Sequence, residues 1–342
     1  MRIAQVAPIA LPVPPKKYGG VERGVWYLTE ELVAQGHEVT LFASSDSSTK
    51  ARLISPCAHV SGPERRFFET ILLGMLVRHS SEFDAINFHT MNDLHLPLTR
   101  LLKTRNITTT HLTWSDPLLK PLLEEFSDVP AVSMSDLQRK LMPPLNWIGT
   151  VYYGLPPALY TLQESPGRYL AYLGMISPEK GADQAIEIAR RAGMKLIIAG
   201  APRTRDQQEW FDIVIKPHCR DSFVEYVGEI GDKEKQDLLG NAYAFLFPTN
   251  LEEAFGQVML ESMACGTPVI AYRKGAVPEV IDEGDTGFVV EDVAGAVDAI
   301  DRVASIDRVR CREVFEKRFS VSRMVQDYLK LYGGRSEVAV QP

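Results

Sequence analysis

The chain has 342 residues, a length typical of about two domains, and its 45% hydrophobic and 24% charged residues are typical of a globular protein. The formal net charge of -7 argues against a non-specific nucleic-acid binder, whose surface would be basic. No apolar run approaches the roughly 20 residues of a membrane-spanning helix, so we expect no stable membrane insertion.

The first half of the chain alternates strands with helices. A strand is predicted over Arg2–Ala7, followed by a glycine-bearing loop over Lys16–Gly20 and a helix over Val21–Gln35. Further strands are predicted at Glu38–Ala43, Ala85–Phe88, Ile107–Thr110 and Ala131–Met134. The apolar segment Phe67–Phe83 is interpreted as a core helix and not as a basic amphipathic helix that docks on a membrane.

The second half repeats this pattern. It restarts with a strand over Arg168–Leu173, a turn at Ser177 and Pro178, and a helix over Ala182–Arg191. Later elements are predicted as the strands Lys195–Ala199, Phe223–Tyr226, Ala244–Phe247, Pro268–Ala271 and Gly287–Val290, with a helix at Gln257–Ala264. A last helix is predicted over residues 319–332.

Strands that alternate with helices of ten or more residues indicate parallel sheets with crossover helices. Two such sets, joined by the proline-rich segment Tyr152–Gly167, predict an α/β protein of two doubly wound (Rossmann-like) parallel-sheet domains facing across a cleft. The predicted boundaries are 1–160 and 161–318, with helix 319–332 packing back on the first domain. Ligands of such sheets bind outside the carboxyl ends of the strands.

The strongest chemical pattern is a pair of glutamates, Glu253 and Glu261, separated by seven residues across a strand–loop–helix junction. Gly256 lets the backbone approach a ligand, and the helix that follows offers N–H groups and a positive dipole end to a phosphate. Glu253 precedes that anion site and could accept hydrogen bonds from sugar hydroxyls. A solvated acidic loop before an ordinary amphipathic helix is the alternative for the two glutamates taken alone.

In its motifs the sequence resembles glycosyltransferase family 4, the retaining enzymes with the two-domain GT-B fold. The motifs that carry the resemblance are KYGGVER at 17–23, LGMISPEKG at 173–181, EAFG at 253–256 with Glu261, MACGTPVIA at 263–271 and GAVPEVIDEGDTGFVV at 275–290. They occur in the family's order over residues 1 to 332. The resemblance implies a hexosyltransferase that uses a nucleotide sugar as co-substrate and needs no cofactor or metal.

The resemblance also implies roles for single residues. Glu253 is expected to hold the hydroxyls of the donor sugar, Glu261 the ribose, and Lys180 the diphosphate leaving group. A plain surface lysine at a turn is the alternative for Lys180. His111, at the end of a predicted strand, is similar to the family histidine that contacts the donor sugar. The other donor-binding positions are Gly19 and Gly20 of the glycine loop and the helix start at Phe255, Gly256, Gln257 and Val258. For Gly19 and Gly20 a purely structural turn is the alternative.

The sequence departs from the family pattern at Met175, where the family usually has an arginine five residues before the lysine. An arginine offers a fork of donors that methionine lacks. Another cation must reach the diphosphate, or the donor is held more weakly. The candidate cations in loops are Lys16, Lys17, Arg203 and Arg205.

Candidates for the acceptor side are His89, Ser135 and Asp136, which follow predicted strands of the first domain, although Asp136 could equally cap a helix. His89 and His95 are six residues apart, which does not place them on one helical face for metal binding, and no Asp-x-Asp motif is present. We expect UDP-glucose as donor and a small soluble acceptor, such as a reduced pterin or another secondary metabolite.

Two alternatives remain open for the function as a whole. The chain could be a nucleotide-sugar-binding protein with weak or lost transferase activity, or a transferase that acts on a lipid or polysaccharide. The opening residues lack the long apolar core of a signal peptide and are interpreted as mature structure. The four cysteines form no CxxC pair, which favours free thiols in a reducing compartment and predicts a cytoplasmic protein.

Overall fold

The chain forms two compact units. The computed structural model describes residues 1–89, 94–111, 119–220 and 222–334. The N-terminal unit comprises Met1–Pro156 and the C-terminal segment from Ser320, and the C-terminal unit comprises Pro157–Phe319.

The boundary between the units lies four residues before the predicted one after residue 160, because the backbone changes partners at Pro156 and Pro157. The Leu155 carbonyl accepts a hydrogen bond from Val321 N–H at 2.9 Å, within the N-terminal unit. The Pro157 carbonyl accepts one from the Arg312 guanidinium at 2.7 Å, within the C-terminal unit.

The described residues contain two parallel sheets. The strands are β1 Arg2–Val6, β2 Glu38–Phe42, β3 Arg52–Ile54, β4 Ala85–Phe88, β5 Arg105–Thr109, β6 Pro130–Ser133, β7 Asn146–Thr150, β8 Tyr169–Leu173, β9 Lys195–Ala199, β10 Val224–Gly228, β11 Ala244–Phe247, β12 Val269–Tyr272 and β13 Gly287–Val290. Their order is β3-β2-β1-β4-β5-β6-β7 in the N-terminal unit and β10-β9-β8-β11-β12-β13 in the C-terminal unit. In each sheet the strand order reverses once, between β1 and β4 and between β8 and β11, and such reversal points are where doubly wound sheets bind ligands.

Helices connect these strands. They are α1 Gly20–Ala34, α2 Arg65–His79, α3 Leu96–Leu101, α4 Lys120–Glu125, α5 Asp136–Leu141, α6 Ala182–Ala192, α7 Arg205–Trp210, α8 Asp232–Gly240, α9 Gln257–Ala264, α10 Val277–Val280, α11 Val293–Arg302, α12 Arg308–Phe319 and α13 Val321–Tyr332. None of the helices in the described ranges has the length and apolar character needed to cross a membrane.

Every predicted strand is present within two residues of its observed ends, but β3 and β7 were not predicted. Both lie at sheet edges, and their residues are exposed or half-buried. The buried apolar run that marks the central strands is therefore missing from their sequences.

The last helix, α13, belongs to the N-terminal unit, with its start capped by the Ser320 hydroxyl. Arg105 Nε donates to the Leu331 carbonyl at 2.8 Å, and a Cβ at Gly149 would lie 3.1 Å from the Leu331 side chain. The helix thus packs across the sheet, with contacts from the interior strand β5 to the edge strand β7.

Helix α2 covers most of the apolar segment that was interpreted as a core helix, and this interpretation holds for one face only. Leu72, Leu73 and Leu76 are buried in the core of the N-terminal unit. Phe67 and Ile71, on another face, are 60% and 47% exposed. The helix therefore presents large apolar side chains to solvent as well as to the core.

Candidate active site

Lys180 and Glu253 form an ion pair in the C-terminal unit. Lys180 follows β8 and Glu253 follows β11, so the pair lies where the strand order of this sheet reverses. The two side chains are only 20% and 19% exposed. The cation expected at the diphosphate and the carboxylate expected at the sugar therefore neutralise each other.

The backbone around Lys180 is fixed by close contacts. Gly181 has a φ of 75°, and a Cβ there would lie 2.1 Å from the Pro248 carbonyl oxygen. The buried Tyr172 hydroxyl donates to the Lys180 carbonyl at 3.2 Å, and burial raises the pKa of that hydroxyl, which keeps it a donor. The loops after β8 and β11 are thus held together independently of the ion pair.

Glu253 is positioned by the loop that precedes α10. Its carbonyl accepts a hydrogen bond from Ala276 N–H at 3.0 Å, and Glu252 Oε2 accepts one from Gly275 N–H at 2.7 Å. Gly275 has a φ of 55°, and a Cβ there would lie 2.3 Å from the Glu253 carbonyl oxygen. Only glycine fits at position 275 while Glu253 keeps this position.

Helix α9 begins directly after this loop. Gly256, with a φ of 88°, precedes its first residue Gln257, and Gly256 has no side chain with which to cap the helix. This left-handed φ favours glycine at the junction, and a Cβ there would also lie 2.8 Å from the Met259 methyl group. The predicted donor-binding residues Phe255, Gly256, Gln257 and Val258 therefore surround a helix start, where N–H groups and the helix dipole favour an anion.

Glu261, in the second turn of α9, is bound by a residue that sequence reasoning missed. Lys235 Nζ, from α8, lies 2.7 Å from Glu261 Oε1, and the two side chains are 13% and 3% exposed. In the part of the chain that the structure describes, the other carboxylate oxygen, Oε2, is buried and has no hydrogen-bond partner. It is the one acceptor of this carboxylate that a ligand could satisfy.

The loop cations proposed to compensate for Met175 already have acidic partners in the C-terminal unit. Arg203 pairs with Glu229, and Arg205 Nε lies 3.0 Å from Glu209. Met175 itself is half-buried, with its sulfur 3.9 Å from the Gln207 amide nitrogen. Lys16 and Lys17 belong to the N-terminal unit and are exposed there.

In the N-terminal unit, the glycine loop is bound by Arg23 of α1. Its guanidinium donates to the Lys17 carbonyl at 2.9 Å and to the Pro15 carbonyl at 3.3 Å. Gly19 has a φ of 141°, and a Cβ there would lie 2.8 Å from the Pro15 ring, so the turn requires glycine at this position. Gly20 is the first residue of α1.

His89 and His111, which follow β4 and β5, form one buried hydrogen-bonded chain. His89 Nε2 lies 2.7 Å from Gln5 Oε1, which only accepts, so the proton of neutral His89 is on Nε2. His89 Nδ1 then accepts from His111 Nε2 at 2.9 Å, and His111 Nδ1 accepts from the Tyr153 hydroxyl. The predicted sugar contact of His111 and the predicted acceptor contact of His89 would each need one of these bonds to be exchanged.

Burial also fixes the charge of this pair. It lowers the pKa of His111 to about 3 and holds the pKa of His89 well below its ordinary value. Both rings are therefore neutral near pH 7, and neither can act there as an acid with a proton to give.

Ser135 and Asp136 lie at the start of α5. The Ser135 hydroxyl accepts from Gln138 N–H at 3.1 Å, so Ser135 is the helix cap and the capping role considered for Asp136 is wrong. Asp136 is exposed, and its carboxylate accepts from the Thr150 hydroxyl at 2.7 Å. As acceptor residues both stay predictions.

Comparison with known families and structures bears on the identity of the chain. The model of the family "Glycosyltransferase Family 4" matches residues 18–147, and the model of the family "Glycosyl transferases group 1" matches residues 162–317. The chain belongs to glycosyltransferase family 4. Its two parallel α/β sheets confirm the GT-B fold expected of a family 4 chain, and its relatives confirm that it is a hexosyltransferase.

The relatives of the chain include several mannosyltransferases. This family 4 chain is 25% identical to the phosphatidyl-myo-inositol mannosyltransferase of Mycolicibacterium smegmatis, over 91% of this chain and 86% of the relative. It is 30% identical to O-antigen chain mannosyltransferase B of Escherichia coli, over 42% of this chain and only 38% of the relative. The solved structure of HepE from Anabaena in complex with UDP and glucose is 16% identical, covers 97% of this chain and 99% of that one, and has a TM-score of 0.75. The likeness to HepE supports the fold alone.

Proposed function

We propose that this enzyme transfers a hexose, with glucose as the first choice, from a UDP-sugar to a small acceptor with retention of configuration. The observation that carries the proposal is the arrangement of Lys180 and Glu253 at the strand reversal, next to the start of α9. A cation, a carboxylate and a helix N-terminus are the groups that a sugar diphosphate needs. HepE, a structure of the same fold, was solved with UDP and glucose, which makes UDP-glucose the first donor to test.

In this proposal the donor replaces the ion pair. The diphosphate binds the Lys180 ammonium and the N–H groups at the start of α9, while Glu253 accepts hydrogen bonds from the hydroxyls of the sugar. Glu261, held by Lys235 through Oε1, offers Oε2 to a ribose hydroxyl. Every charged group that the donor displaces or meets is then paired again.

The chemical step that we propose is a displacement on one face of the sugar. The bond between the anomeric carbon and the leaving phosphate oxygen breaks, and the acceptor oxygen forms its bond on the same face. The acceptor proton passes to the leaving phosphate oxygen. Lys180 stabilises the negative charge that grows on the diphosphate, an electrostatic contribution of about 3 kcal/mol where such a contact tightens in the transition state.

Two alternatives each have an observation in their favour. Met175 leaves the diphosphate without the family arginine, and Arg203 is already paired with Glu229, which favours a nucleotide-sugar binder with slow turnover. The exposed apolar residues Phe67 and Ile71 on α2, together with the phosphatidyl-myo-inositol relative, favour a lipid acceptor.

The test is to incubate the enzyme with UDP-glucose, UDP-galactose, UDP-N-acetylglucosamine and GDP-mannose and to follow nucleotide release with and without candidate acceptors. We expect release from UDP-glucose that rises with an acceptor, and a product of retained anomeric configuration by proton NMR. Tight binding of all donors without release indicates a binder. Release that needs liposomes supports the lipid acceptor.

A further inference from the structure

A cavity of about 260 Å³ opens beside the glycine loop of the N-terminal unit. It lies where β1 ends and α1 begins, next to the reversal of strand order between β1 and β4. Apolar surface from Pro8, Leu11 and Tyr18 forms part of its wall. Glu22, Arg65 and Glu69 form the charged part.

Glu22 is the least satisfied of these charged groups. It lies in the first turn of α1 and is only 5% exposed, so the cavity is its route to solvent. Within residues 1–89, 94–111, 119–220 and 222–334, no other residue donates a hydrogen bond to its carboxylate. Burial raises the pKa of this carboxyl, and its own backbone amide and the charge of Arg65 oppose the rise only in part.

Among the described lining residues, Arg65 supplies the only guanidinium, and it faces two carboxylates. Arg65 Nε lies 3.3 Å from Glu69 Oε1, and Glu69 is itself 5% exposed. The described part of the lining, with Glu22, Glu69 and Arg65, therefore carries one more negative than positive group. A buried carboxylate that accepts only from its own backbone amide is under-satisfied, and a ligand that brings further donors lowers the cost of burying it.

We propose that this cavity is the acceptor subsite and that it takes a small ring bearing hydroxyl or amino groups and no anionic charge. Donor hydrogens of that ring bond to Glu22, and the apolar face of the ring packs on Tyr18, which is 51% exposed. The volume is below the roughly 300–1,000 Å³ of pockets for larger ligands, which limits the occupant to about one ring. A phosphate or carboxylate on this part of the acceptor is repelled. The inference rests on the transferase activity proposed above.

The test is an NMR titration of the full chain with three probes of similar size, methyl α-glucoside, glucosamine and glucose 6-phosphate. We expect the first two to bind and glucose 6-phosphate to bind at least tenfold more weakly. Glu22→Gln keeps the shape of the side chain but removes its charge, and should raise the Kd of glucosamine about tenfold and that of methyl α-glucoside less. Glu31→Gln, on the solvent side of the same helix, is the matched control and should change neither value.

Tyr18→Ala, at a half-exposed position, is a second variant, whose fold is checked by its NMR spectrum; it should weaken the binding of both methyl α-glucoside and glucosamine. The inference is overturned if none of the probes binds, if glucose 6-phosphate binds as well as glucosamine, or if Glu22→Gln leaves both affinities unchanged. UDP binding, measured on the same samples, separates this outcome from failure of the proposed function. A wild-type protein that does not bind UDP refutes the transferase proposal, whereas normal UDP binding with unaltered sugar affinity refutes only the subsite.

Discussion

Replacing Glu253 by glutamine should have opposite effects on nucleotide binding and on transfer. The Glu253 carboxylate pairs with the Lys180 ammonium, and the two side chains are 19% and 20% exposed. Because the Lys180–Glu253 ion pair must separate before Lys180 can bind the diphosphate, the ion pair competes with the donor. Glutamine removes that competition and also removes the negative charge nearest the phosphates.

The size of the effect follows from the exposure of the pair. A fully exposed ion pair contributes up to about 1 kcal/mol, and the Lys180–Glu253 pair is more buried than such a pair. Taking about 1 kcal/mol as the cost of separating it, we expect UDP to bind Glu253→Gln about fivefold more tightly than wild type. Transfer from UDP-glucose should fall by about a hundredfold or more, since the sugar loses its carboxylate acceptor.

Isothermal titration with UDP and a nucleotide-release assay measure the two effects. Lys180→Ala should weaken UDP binding by about tenfold or more, because a hydrogen bond to a charged group is lost, at about 1.5–3 kcal/mol. Glu225→Gln removes the partner of Lys195, a Lys–Glu pair at 2.6 Å elsewhere in the same unit, and should change neither reading. Weaker UDP binding by Glu253→Gln, or unaltered binding by Lys180→Ala, refutes the reasoning.

Three other outcomes are expected. Lys235→Ala leaves the Glu261 carboxylate buried without its cation and should lower the free energy of unfolding, measured in urea, by about 3–5 kcal/mol. The double variant Lys235→Met/Glu261→Met should recover most of that loss, and equal losses in the two variants would contradict the pairing. His89 and His111 have lowered pKa values in the folded protein, whereas a histidine of the unfolded chain has a pKa of about 6.5. Below that pH the unfolded state therefore binds more protons than the folded state. The free energy of unfolding should fall by up to about 1.4 kcal/mol per pH unit per histidine as the pH drops below about 6.5. A flat urea midpoint between pH 6.5 and 5 would contradict this. Gly275→Ala places a Cβ 2.3 Å from the Glu253 carbonyl oxygen, and should lower kcat/KM for transfer at least tenfold with an unchanged circular dichroism spectrum. A wild-type kcat/KM would show that the loop accommodates the Cβ without moving Glu253.

Residues that act through local backbone geometry were the most predictable from sequence. Gly256 and Gly19 stand at positive φ at the junctions where the glycine motifs placed them, and α9 has the predicted ends. The Glu253 and Lys180 motifs follow strands that are recognisable from buried apolar runs. Their convergence follows from the parallel sheet, because β8 and β11 end at the same edge.

Residues whose roles depend on tertiary contacts were not predictable. Lys235 lies in the charged run DKEKQDLLG, which is indistinguishable from a solvated helix surface until α8 packs beside α9. Glu22 stood inside a quoted motif, yet its burial depends on α2, which supplies Arg65 and Glu69. The histidine chain likewise depends on Tyr153, which follows a strand too exposed to be predicted.

A crystal structure of this protein with UDP tests the donor site most directly. We expect Lys180 to leave Glu253 for the diphosphate, the phosphates to lie at the start of α9, and Glu261 Oε2 to accept a ribose hydroxyl while Oε1 keeps Lys235. UDP bound elsewhere, or bound with the Lys180–Glu253 pair intact and Glu261 untouched, would contradict the account.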